Sequence, residues 1–277
     1  MILEKTMADS TIACPHYITL DDIQIRLWHV NLTCGTQPVV AFAGLTESAE
    51  QLAKQLAELL PGRGIAVIEV PGIGSLDAGH LTRPAGSILA DALNAWGVRD
   101  YVLVALNMAA GYLADCLPGL THEPQQVLAP GLARARAWAA EPERLPDLAP
   151  RQDGSHLTAF WCHLRDYAML TAADLSLADS EGDPLPEAES LHACMAAAAM
   201  SLPAYAQRWQ EACTGMAALP EGVAPAPTLA ALSQHIEGGQ GGAVAGLPAT
   251  APLGGGQDLE PVCANPARAN PSAPLRP

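Results

Sequence analysis

Ten residues in the middle of the chain limit its fold more than any others. Val102-Leu103-Val104-Ala105-Leu106-Asn107-Met108-Ala109-Ala110-Gly111 is a short apolar run, a tight turn and the start of a small-residue helix. A strand-to-helix elbow of this kind exposes its central residue on the turn, and G-x-S-x-G places a nucleophile there. Here the centre is Asn107, flanked by Ala105 and Ala109. An elbow holds its central residue at positive φ, which asparagine tolerates because its short side chain bonds locally. A carboxamide is not an activated nucleophile. It still donates and accepts hydrogen bonds. Taken alone, the segment also reads as a buried strand and helix with Asn107 as a turn or cap residue.

The surroundings repeat the pattern. Gln37 to Leu45 reads as a buried strand ending at Gly44, and Thr46 to Leu60 follows at helical spacing with Leu52, Leu56, Leu59 and Leu60 on one side. Pro61-Gly62-Arg63-Gly64 breaks that helix. Ile65 to Val70 is a third strand, ending in Pro71-Gly72-Ile73-Gly74-Ser75. Ser87 to Trp96 is a helix closed by Gly97 in the C′ role. Strands alternating with helices through short turns predict a parallel sheet in an α/β fold.

These pieces, in this order, resemble the α/β-hydrolase superfamily from about Tyr17 to Cys116. Tyr17 to Val30 looks like the family's opening hairpin, turning at Asp21-Asp22. Phe42-Ala43-Gly44-Leu45 stands in the place of the oxyanion loop, with alanine where histidine is common. Val70 to Ser75 is similar to the D-x-P-G-x-G-x-S turn, with Glu69 near the acidic position, and Ala105 to Ala109 is similar to the elbow. Asp153-Gly154-Ser155-His156-Leu157, then Trp161 and Arg165-Asp166, resemble the helical cap of a bacterial subgroup. The resemblance implies a mainly parallel central sheet with an inserted helical cap. It divides the chain into a first part of the core at 1–130, a cap at 131–222, and a degenerate end of the core with a Gly/Ala/Pro-rich tail at 223–277.

The same resemblance implies a site. Asn107 would occupy the nucleophile position, and the backbone N–H groups of Leu45, beside Gly44, and of Met108 would form the oxyanion hole. His156 and Trp161 would face the pocket from the cap. Residues Ala226 to Ser233 read as a late strand, with His235 and Glu237 near the family's acid position. No histidine follows His235, so the last triad slot is empty and an ordinary Ser-His-Asp hydrolase is not expected. His156 also reads as a helix N-terminal residue capped by Asp153 or Ser155.

Composition narrows the remaining classes. The formal charge of -15 opposes nucleic-acid binding. No leader-like apolar run opens the chain and no stretch of about 20 apolar residues occurs, so a cytoplasmic protein with no membrane span is expected. Seven cysteines at irregular spacing form no C-x-x-C pair, which suits reduced thiols. Cys162 beside His163 is a conceivable nucleophile pair, although a buried structural cysteine is the commoner arrangement. His156 and His163 lack a third ligand, so no metal is expected. Gly72-Ile73-Gly74 lacks the lysine and third glycine of phosphate loops. No cofactor is expected either.

Three functions remain open. The first is non-covalent acid/base chemistry on a small carbonyl compound, such as elimination, isomerisation or cyclisation, with Asn107 orienting the carbonyl and His156 moving the proton. The second is a non-catalytic relative that binds a small ligand or supports a partner enzyme, as a homo- or hetero-oligomer. The third is an ester hydrolase whose nucleophile is Ser48, Ser75 or Ser155.

Overall fold

The computed structural model describes residues 12–20, 23–32, 37–74, 82–173, 188–199, 202–220, 223–226, 229 and 231–237. The Asp21-Asp22 turn, Ser75 and the tail from residue 238 lie outside the described residues.

Seven strands form one sheet: β1 (Cys14–Leu20), β2 (Ile23–Val30), β3 (Val39–Phe42), β4 (Ile65–Ile68), β5 (Val102–Ala105), β6 (Gln126–Pro130) and β7 (Ala224–Ala226). Their order is β1-β2-β4-β3-β5-β6-β7. β1 and β2 form the antiparallel hairpin expected from the sequence, and β2 also runs antiparallel to β4. The other pairs are parallel, with Val39 opposite both Ile65 and Val102.

Every residue of β3, β4 and β5 is buried, because helices cover both faces of a parallel sheet. Side chains alternate between two cores with period two. Val40, Phe42, Leu103 and Ala105 point to one core, and Val39, Ala41, Val102 and Val104 to the other.

The second core is closed by α1 (Ala49–Leu59), through Leu52, Ala53 and Leu56, and by α8 (Leu232–Glu237), through Leu232 and Ile236. The first is closed by α2 (Ala85–Trp96), α3 (Leu113–Cys116), α4 (Leu132–Ala139), α5 (Ser155–Ala173) and α7 (Leu202–Ala217), with α6 (Ala188–Ala199) contributing Ala198. Gly97 ends α2 at φ 71, as its position in the sequence predicts, with its N–H on Leu93 O and Asn94 O. α4 to α7 all lie between β6 and β7.

Three local expectations are corrected. The helix expected from Thr46 begins at Ala49, because Ser48 is its N-cap and accepts from Gln51 N–H. Thr46 and Glu47 are thereby left in the loop. The late strand expected over residues 226–233 is the shorter β7, and the chain turns helical at Leu232 so that Leu232 and Ile236 share one buried face. The helix after the elbow is a 3₁₀ segment over Asn107–Tyr112 followed by the single turn of α3.

α7 lies against that 3₁₀ segment at backbone distance. A Cβ on Gly111 would fall 2.1 Å from Ala212 O, and one on Gly215 would fall 1.9 Å from Gly111 O. Small residues on both partners are what permit the approach.

Candidate functional site

The sheet order reverses its direction of growth at β3. The chain leaves β3 towards β4 on one side, and after β4 it crosses back to β5 on the other. The carboxyl ends of β3 and β5 are therefore a topological switch point, the place where open α/β sheets bind ligands. The loops that follow these strands carry Glu47 and Asn107.

Asn107 has φ 48, the strained backbone predicted for an elbow. Its Nδ2 donates to Glu47 Oε1 at 2.5 Å, across 60 positions of sequence. Glu47 Oε2 accepts from Thr46 N–H at 3.3 Å. Two glycines make room for the pair. A Cβ on Gly44 would lie 1.8 Å from Glu47 Oε2, and one on Gly131, at φ 71, would lie 2.0 Å from Asn107 Oδ1. Gly44, Glu47, Asn107 and Gly131 thus belong to one cluster drawn from the loops after β3, β5 and β6.

Glu47 keeps some exposed surface as a residue, while its carboxyl group is enclosed by protein. Desolvation raises its pKa. The hydrogen bonds from Asn107 and Thr46 and the charge of Arg134 oppose the rise without cancelling it. The carboxyl consequently holds its proton more tightly than an ordinary glutamate does.

Tyr167, from α5, is 2% exposed. Burial and the Glu47 charge push its hydroxyl pKa up, whereas Arg134 and the Met108 backbone pull it down. Behind Tyr167 lies an aromatic cluster. Its ring is 5.1 Å from Trp138, which stands 5.8 Å from His163 and 6.1 Å from Trp209. Burial lowers His163 to about 4, so its ring is neutral near pH 7. Tyr205 Oη lies 3.4 Å from His163 Nε2.

The residues singled out in the sequence are placed as follows. Asn107, Gly44 and Met108 come together, and Leu45 is buried beside them at 2% exposure. His156 sits in the first turn of α5, where its Nδ1 accepts from Arg151 N–H at 3.1 Å. Trp161 is half-buried further along that helix. His235 and Glu237 lie on α8, which packs by Leu232 and Ile236 onto the α1 face, and Glu237 is exposed. Ser48 is used as the α1 cap. Among the described residues no group of three His, Cys, Asp or Glu is placed to hold a metal ion. No helix of the described residues is long and apolar enough to cross a membrane.

Glu47, Arg134, Gly131 and Tyr167 were missed in the sequence. For Glu47 a signal was present: Ser48 is a strong N-cap residue, and starting the helix there frees Glu47 for the loop.

No protein-family profile and no curated protein matches the chain. Solved structures do. Cfl2 from Burkholderia cenocepacia superposes with a TM-score of 0.55 at 13% identity, covering 73% of this chain and 72% of that one. A variant of aCif gives a TM-score of 0.52 at 10% identity, with 76% and 67% covered. Epoxide Hydrolase A from Mycobacterium thermoresistibile gives 0.49 at 14% identity, with 82% and 79% covered. At these identities the likeness concerns the fold.

Proposed function

The chain has the α/β-hydrolase fold, and from that premise we propose that it acts on a small carbonyl compound by non-covalent acid/base chemistry. The carrying observation is the 2.5 Å bond between the elbow amide of Asn107 and the enclosed Glu47 carboxyl. Glu47 is the proton carrier in this reading, in place of His156, whose ring is bonded to its own loop. A carboxyl whose pKa is raised by burial is a stronger proton acceptor than an ordinary glutamate, as a general base requires. Asn107 orients the carbonyl through its amide, and the Met108 and Leu45 N–H groups polarise the carbonyl oxygen. Elimination, isomerisation and cyclisation all proceed through such a proton transfer next to a carbonyl.

The test is deuterium uptake from D₂O at carbons adjacent to the carbonyl, followed by NMR across a panel of small ketones and lactones. Glu47→Gln should lower uptake by about 100-fold or more, the range of one general acid or base. Asn107→Ala should lower it by a smaller factor. Uptake by Glu47→Gln equal to that of the wild type would sink the reading.

One observation favours a second reading, a non-catalytic protein that binds a small ligand. The Asn107 amide, the group an oriented carbonyl would need, is already bonded to Glu47. A wild type that binds members of the panel and exchanges none of their protons would favour it.

A further inference from the structure

The described arginines of this acidic chain are mostly tied down. Arg26 pairs with Glu69, Arg83 with Asp91, Arg144 with Glu141, Arg151 with Asp147, Arg165 with Asp166 and Arg208 with Glu211. Arg63 bonds the Gln37 carbonyl. Arg99, Arg134 and Arg136 make no hydrogen bond or ion pair among the described residues, and of these three only Arg134, in the first turn of α4, is partly buried rather than exposed. Three residues before it, Gly131 abuts Asn107 Oδ1. Its charge reaches both the Glu47 carboxyl and the Tyr167 hydroxyl.

A guanidinium carries five N–H donors and cannot shed its charge. None of these donors is taken by a described residue, and Glu47 lies beyond ion-pair distance.

We propose that Arg134 is the anchor for a carboxylate on the ligand, so that the substrate class is the small oxo acids and their close relatives. This rests on the acid/base reading of the same site. The planar fork of the guanidinium matches a carboxylate with two parallel N–H bonds. The ligand's charged end belongs to Arg134 and its carbonyl end to Asn107 and Glu47. The bound anion also acts on the chemistry. A second negative charge near Glu47 favours the protonated carboxyl, so substrate binding itself loads the acid. Discrimination for an anion has to be local here, because the net charge of -15 repels anions at long range.

The experiment is isothermal titration of the full-length protein with acetoacetate, levulinate and benzoylacetate, each against its neutral carboxamide. At least one acid should bind, with its carboxamide weaker by about tenfold or more, the worth of a charged hydrogen bond. Arg134→Gln should bring the acid down to the level of its carboxamide, and Arg134→Lys should restore part of the difference. Thermal unfolding midpoints verify that both variants are folded. Equal binding of acid and carboxamide, unchanged acid binding in Arg134→Gln, or no binding of any acid overturns the proposal. If acid and carboxamide bind equally while Glu47→Gln still abolishes deuterium uptake, the carboxylate anchor fails and the acid/base reading stands. Acid-selective binding without any uptake leaves the anchor and removes the catalysis.

Discussion

Arg208 and Arg134 both sit on helices inserted between β6 and β7, and they carry their charge in opposite ways. Arg208 is fully buried. Its Nε donates to Pro71 O at 2.9 Å, and its Nη1 to Arg83 O at 3.1 Å and to Glu211 Oε2 at 2.5 Å. Glu211 in turn accepts from Ala85 N–H and from Gln207, and Tyr112 Oη donates to the Arg208 carbonyl. Only Nη2 has no partner. The cluster clamps α7 to the turn after β4 and to the start of α2. Arg134 has no such bond among the described residues and keeps some exposed surface, three residues after the glycine that abuts Asn107. A buried charge bonded to two carbonyls and a carboxylate holds the fold together. A charge left without partners at the carboxyl edge of the sheet is available to a ligand.

The comparison breaks most clearly at Arg208. Arg208→Ala strands the Glu211 carboxylate, and urea unfolding should show a loss of about 3–5 kcal/mol. A loss below about 1 kcal/mol would mean that the clamp is not structural. Gly131→Ala should cost less, about 2–3 kcal/mol, from a side chain at positive φ and a Cβ driven into Asn107. It should also push Asn107 off Glu47, which a lower uptake of deuterium would register. An alanine variant as stable and as active as the wild type would show that the pair does not need the room. The smallest effect is expected at Arg134. Arg134→Gln should change the free energy of urea unfolding by no more than about 0.5 kcal/mol, as for a surface position. A loss comparable to that of Arg208→Ala would make Arg134 a second clamp.

The core of the fold was legible because it rests on local rules. Three short apolar strands between glycine-rich turns have one economical arrangement, a parallel sheet covered on both faces, and β3, β4 and β5 are buried throughout. The elbow was legible for the same reason: few non-glycine residues suit its φ, and Asn107 is one of them. Glu47 was hidden because helical spacing absorbs it. Only the competition for the cap, won by Ser48, puts it in the loop. His156 drew attention through a resemblance in short motifs, while its ring answers to the Arg151 N–H five residues away. Residues 226–233 suggested a strand by composition, yet burying Leu232 and Ile236 together requires a helix.

By itself, then, the sequence determined the alternation of strand and helix, the strained elbow with asparagine at its centre, and the absence of an ordinary nucleophile there. These follow from hydrophobic period, glycine placement and side-chain chemistry, all of which act within a few residues. Only the tertiary structure decided what that asparagine touches. Glu47 and Gly131 reach Asn107 from other loops because the sheet changes its direction of growth at β3. No periodicity along the chain encodes a meeting between residues 60 positions apart.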